Sequence, residues 1–175
     1  MNRKVLIQLL ENYLSPFQEE QLFKRHFLEL LKDANAFQRT HLPGHITGSA
    51  WVVNADANKT LLVHHAKLNK WVQPGGHADG DENVLAVAKR EAEEETGLMN
   101  FKIDGSIFDI DIHTIPARKD FPQHQHYDIR FLFRADEYEP IIISEESHDV
   151  KWIPIDQLTN YTTERSVLRM SEKLA

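Results

Sequence analysis

The sequence predicts an α/β fold, with a mixed sheet flanked by helices and a helical segment ahead of it. Three observations carry this reading. Residues 107–115 and 126–134 alternate apolar and polar side chains, the period of a half-buried strand. Residues 3–34 space their apolar side chains as amphipathic helices do. Residues 83–96 read as a further helix, entered from a glycine loop and closed by Gly97.

The elements follow in order. Residues 3–14 form the first helix. Ser15-Pro16-Phe17-Gln18 reads as the start of a second, with Ser15 as N-cap, Pro16 in the first turn and Gln18 completing a capping box. Residues 1–36 are thus an N-terminal helical extension and 37–175 the main domain. The extension is expected to pack on that domain, and it is the first place to look for a homodimer contact. Residues 37–47 are a polar connector. Ser49–Val53 and Thr60–His64 flank a turn-rich stretch and read as a hairpin. Trp71-Val72-Gln73 is a short strand leading to Pro74-Gly75-Gly76, where glycine permits a tight turn and close approach.

Beyond the central helix, Phe108, Ile110 and Ile112 oppose Asp109, Asp111 and His113, and Tyr127, Ile129, Phe131 and Phe133 oppose His126, Asp128 and Arg130. The polar sets form the second face of each half-buried strand. Ile141–Ile143 and Val150–Ile153 read as strands, 154–158 as the start of a short helix and 163–174 as a last helix.

Composition excludes several classes of function. The 175 residues suit one domain with a real core, and no run approaches the ~18 apolar residues of a membrane span. The N-terminal stretch is interrupted by Gln8, Glu11 and Asn12, unlike a signal peptide. Twenty basic against 27 acidic side chains give −7 with no basic block, so long nucleic acid is not an expected partner. The lack of cysteine removes thiol catalysis and disulfides and suits a cytoplasmic protein.

The most informative segment is 76–98, GHADGDENVLAVAKREAEEETGL. At 100° per residue, Val84, Val87, Ala88, Glu91, Glu94 and Glu95 share one helical face. The stripe is apolar for its first turns and acidic for its last, so the acids continue inward rather than opposite the core face. Like charges so placed repel one another. A hard divalent cation, which takes carboxylate and phosphate oxygens, relieves that repulsion.

This segment resembles the Nudix box, the signature of Nudix hydrolases, at Gly76, Glu82, Arg90, Glu91, Glu94, Glu95 and Gly97. Ala92 is smaller than the aliphatic residue usual at its position. The resemblance implies a Nudix-type α/β/α sandwich. It also implies Mg²⁺- or Mn²⁺-dependent hydrolysis of a diphosphate linkage in a small nucleoside diphosphate-linked substrate. By that pattern Glu91, Glu94 and Glu95 bind metal, the Gly75 carbonyl adds an oxygen, and Arg90 orients the acids. The general base is a box glutamate or an acid on a later loop, for which Glu145 and Glu146 are candidates. An isomerase on this fold relies on cysteine, which is absent here. A non-catalytic nucleotide-binding or regulatory module usually loses box acids, which are all present.

A second polar group comprises His113, His124, His126 and Asp128. If the two alternating strands pair, His113 meets Asp128 or His126. The set then binds a further metal, contacts substrate phosphate, or simply lines the solvent side. His77, inside the glycine loop, is better placed for substrate contact than the others. Trp51, Trp71, Phe121 and Tyr127 are candidates for stacking on a base, or for packing.

Overall fold

The computed structural model describes residues 1–119 and 121–174. Two helices, α1 (Arg3–Asn12) and α2 (Gln18–Leu30), precede the strands β1 (Gly44–Val53), β2 (Lys59–His65), β3 (Lys70–Val72) and β4 (Gly75–His77). Helix α3 (Val84–Thr96) leads to the long strands β5 (Lys102–Ile115) and β6 (His124–Arg134). Strand β7 (Ser147–Pro154), a 3₁₀ turn (Ile155–Asn160) and α4 (Arg165–Glu172) follow.

Strand β1 is buried along its whole length and organises the sheet. One edge pairs with β6 in parallel from Gly44↔Gln125 to Val53↔Arg134. The other edge is shared, with β4 pairing at Thr47–Ser49 and β2 at Val52–Val53, both antiparallel. Strands β5 and β6 form an antiparallel hairpin, and β7 pairs with β2. The sheet is therefore mixed. Ile46, Ala50 and Val52 point into a core shared with α1, α2 and α3, whereas Trp51 and Val53 join Leu62, Ile153, Leu158, Val167 and Met170 on the opposite face. Alternation along one strand thus feeds two cores, and the result is an α/β/α sandwich. Leu6, Leu10, Phe27 and Leu31 lie within the first core, so the N-terminal helices pack on the sheet.

Three expectations are corrected. Ser15 is not the N-cap of α2; that position is Phe17, whose N–H donates to the Ser15 hydroxyl. The Ser15 hydroxyl in turn donates to Glu20. Residues 141–143 form no strand. The Ile142 N–H donates to Thr96 O at the end of α3, 2.9 Å away, so this apolar run covers a helix terminus instead of joining a ladder. The third correction concerns the polar faces of β5 and β6. The alternation is present, but Asp109, Asp111, Asp128 and Arg130 are buried.

Their burial is accounted for by mutual pairing. Arg130 donates to Asp128 (2.7 Å), Asp109 (3.1 Å) and Asp111 (3.4 Å). Arg169 of α4 donates to both oxygens of Asp109 at 2.8 and 2.9 Å and to Glu19 of α2 at 2.7 Å. Lys173 joins Glu20 and Asp109, each at 2.7 Å, and the Tyr13 hydroxyl donates to Glu20. Burial alone would raise the pKa of Asp109, but Arg169 and Arg130 hold it below the usual carboxylate value. Arg130→Gln leaves buried carboxylates short of a cation, so unfolding free energy is expected to fall by about 3–5 kcal/mol. Urea denaturation near neutral pH measures this; a loss below about 1 kcal/mol, the worth of an exposed pair, would refute the assignment.

Candidate functional site

Helix α3 carries the acidic stripe onto β4. Asn83 caps it, accepting from the Ala86 N–H at 3.3 Å, and Gly97 ends it with φ of 74°, a left-handed conformation that glycine adopts without strain. Val84, Val87 and Ala88 are buried on the face that continues into Glu91 and Glu95. Glu95 Oε2 accepts from the Gly75 N–H at 3.0 Å. The Glu91 carboxylate lies directly over Gly76, where any Cβ would overlap it. Gly75 and Gly76 are extended and paired with Ser49 and Gly48, so glycine serves close approach here, not the tight turn that was expected.

Arg90 Nη2 donates to Glu91 Oε1 at 2.7 Å and to the His77 carbonyl at 3.2 Å, tying the helix to β4. Glu94 is more exposed, with its carboxylate 3.9 Å from Arg90 Nε. Glu82 accepts from the N–H and Nε of Arg3, at 3.1 and 3.0 Å, and so anchors α1. Burial pushes the Glu95 carboxyl up to about 8, partly opposed by the Gly75 N–H and reinforced by Glu91, Glu146 and Glu94. Burial raises Glu91 too, against the pull of Arg90. Glu146, in the turn before β7, is thus near enough to be felt by Glu95; it is exposed and 3.9 Å from Lys67, and Glu145 is its exposed neighbour. Carboxylates whose ionisation burial and mutual repulsion disfavour, as at Glu91 and Glu95, are a fit for a divalent cation. The donors are all oxygen, which suits Mg²⁺ or Mn²⁺.

A NUDIX domain model matches residues 44–171. The chain belongs to the Nudix family. A probable DHNTP pyrophosphohydrolase from Lactococcus lactis is 29% identical over 141 residues, covering 79% of this chain and 82% of the relative. Among solved structures, an Ap4A hydrolase complex from C. elegans superposes with a TM-score of 0.60 at 16% identity, over 74% of this chain and 93% of the other. The E. coli dihydroneopterin triphosphate pyrophosphohydrolase gives 0.57 at 13% identity, over 73% and 92%. The two structures are likenesses of the Nudix fold.

The remaining candidates of this Nudix domain divide into two groups. His113 stands opposite His126 in the β5–β6 register, with rings 5.4 Å apart and His113 Nδ1 3.1 Å from Asp111. His77 meets the His126 ring edge-on at 4.8 Å. Asp128 is elsewhere. It is buried, accepts from Thr47 (3.0 Å), Ser49 (2.7 Å), Gln73 (3.2 Å) and Arg130, and pairs in register with Asp111. Its place is in the buried ion network, because β1 and Arg130 close over the face that the pattern left open. Trp51 is likewise fully buried, and Trp71 stacks on His64 at 4.9 Å. His45 was missed. It sits beside His126 through the parallel β1–β6 pairing, a contact that no local pattern reports.

The raised Glu95 value gives a signed pH dependence. A carboxyl whose folded pKa lies above its ordinary 4.5 favours the fold below that value and loses this contribution as pH rises through about 8. Metal-free Glu95→Gln is therefore expected to gain in melting temperature over metal-free wild type as pH goes from about 5 to about 8.5, with excess Mg²⁺ narrowing the gap. A gap that does not change with pH would contradict the buried, cation-requiring carboxyl.

Proposed function

We propose that the protein hydrolyses a diphosphate linkage in a small nucleoside diphosphate-linked or pterin-linked metabolite, with Mg²⁺ or Mn²⁺ held by Glu91, Glu95 and Glu94. Family membership with a complete set of box acids makes the enzyme class a Nudix-type pyrophosphohydrolase. The observation that carries the proposal is the Glu91–Glu95 pair, pressed against the glycine strand and held towards the protonated state by burial.

A divalent ion held there would supply charge to offset the diphosphate oxygens and would lower the pKa of a water. The residues of the chain do the rest. Gly75 fixes one Glu95 oxygen and leaves the other to coordinate. Arg90 fixes Glu91 and, through the His77 carbonyl, the strand beneath it. The Gly75 carbonyl is a further candidate oxygen donor. A general base would have to come from outside the buried pair, and Glu94 and Glu146, which both act on Glu95, are candidates.

The substrate class is narrowed by charge. The protein is acidic and the site is acidic, so an anionic substrate must enter with its metal, which favours compact polyphosphates over long nucleic acid. The Lactococcus relative's name points towards a pterin triphosphate, while the C. elegans neighbour's points towards a dinucleoside polyphosphate. No described helix is long and apolar enough to cross a membrane. The cysteine-free composition accords with a cytoplasmic setting.

Phosphate-release assays with Mg²⁺ or Mn²⁺, coupled to inorganic pyrophosphatase or a phosphatase as each product requires, over nucleoside and pterin triphosphates, nucleotide sugars and dinucleoside polyphosphates, test the proposal. One class is expected to turn over only with metal. Glu95→Gln should lower kcat roughly 100-fold or more while the protein stays folded, since one ligand charge is lost with little change of shape. Wild-type turnover by that variant would sink the metal assignment. Of Glu94→Gln and Glu146→Gln, the one that loses the acidic limb of the kcat profile identifies the base.

A further inference from the structure

On the face of the sheet opposite α3, four imidazoles converge at the start of β1. They are His45 of β1, His77 of β4, and His124 and His126 of β6, and one ring nitrogen from each lies within 4.8 Å of all the others. His45 packs on His77, His124 and His126 with centroids 5.0 to 5.2 Å away. These residues come from three strands, and the register explains their meeting. His45 lies beside His126, and Thr47 beside His77, so alternation puts all three side chains on one face.

Two of the four rings, His45 and His124, have their outer nitrogen held by a backbone carbonyl, as a ligating histidine does. His45 is fully buried, its Nδ1 donates to the His41 carbonyl at 3.3 Å, and its Nε2 has no hydrogen-bond partner. That leaves a buried lone pair aimed into the cluster, an arrangement that costs free energy unless something accepts it. His124 Nδ1 donates to the Pro122 carbonyl at 2.9 Å, which turns its Nε2 lone pair towards His126 Nε2, 3.3 Å away. Backbone carbonyls that fix the outer nitrogen are the usual support of a ligating histidine. With metal–nitrogen bonds of about 2.0–2.1 Å, tetrahedral geometry sets ligand nitrogens about 3.3 Å apart, the spacing of the His124–His126 pair.

We propose that His45, His77, His124 and His126 form a second metal site, distinct from the acidic one, for a divalent transition-metal ion of the zinc class. Imidazole nitrogen suits zinc, nickel or copper, whereas the carboxylates of α3 suit magnesium or manganese. Burial keeps the ring of His77 neutral, with a pKa of about 4, and works in the same direction on His45 and His126. Arg39, which also acts on His45 and His77, is paired with Asp79. His113 packs on His126 from outside, and Phe121 shields His124.

The test uses untagged protein, stripped with chelator, reloaded with Zn²⁺ or Co²⁺ and freed of excess metal. Wild type is expected to hold roughly one zinc per chain, and the cobalt form to show the intense visible bands of tetrahedral coordination. Glu95→Gln should retain both signals. His45→Gln and His126→Gln should each lower stoichiometry at least about tenfold, with folding checked by circular dichroism. His126 is only part-buried, so that variant remains informative if His45→Gln does not fold. Wild type that holds no zinc after reloading would overturn the proposal. So would folded His126→Gln that keeps a full zinc ion, or zinc lost on Glu95→Gln, which would put the ion among the acids.

Discussion

The structure depends on how its buried charges neutralise one another. Asp109, Asp111, Asp128 and Glu20 lie inside the protein with Arg130, Arg169 and Lys173. Each ion removed from water carries a penalty of several kcal/mol, so none is tolerated without its partners. Since the partners come from α2, β5, β6 and α4, these elements must assemble in one arrangement for the charges to be satisfied. Such a network adds little net stability over an apolar core. Its effect is to penalise misplaced elements, and it makes the N-terminal helices part of the same packing problem as the sheet.

The network also reaches the acidic site. Asp128 accepts from Ser49, and Ser49 is the side chain against which Gly75 packs so closely that a Cβ would overlap it. Gln73, just ahead of Gly75, donates to the same aspartate. Strand β4 is thereby pressed onto β1, and from that position the Gly75 N–H meets Glu95. The placement of the Glu95 carboxylate thus traces to an arginine and an aspartate on the other side of the sheet. Glu91 and Glu95 run against the rule that buried charge is paired in proportion. They are the sort of local inconsistency that function retains and the surrounding rigid scaffold sustains.

What the sequence made legible follows from range. Helix α3, its glycine end and its acidic face depend on neighbours within four residues, and they read correctly from spacing alone. So did the β1–β2 hairpin and the period of β5 and β6. The misreadings depend on long-range partners. Alternation shows that Asp109 and Asp111 share a character with their polar neighbours, but not whether an arginine some 20 or 60 residues away covers them. Residues 141–143 have strand composition, yet the available partner is the end of a helix. Arg3 reaching Glu82, and His45 reaching His126, are likewise settled only once the chain has folded.

Strand β4 joins the two polar centres. Side chains alternate along it, so Gly76 faces α3 and the Glu91 carboxylate, while His77 faces the imidazoles on the other side. Three consecutive residues therefore separate oxygen donors from nitrogen donors by the thickness of one sheet. Sorting by donor type would let one small domain present two sites of different hardness without competition for the same ion. The separation is not isolation. Arg90 donates from a single nitrogen to Glu91 and to the carbonyl of His77, so a shift of either residue alters the geometry offered to the other. An ion that fixes the His77 ring would hold its carbonyl in place, and with it the arginine that aims Glu91.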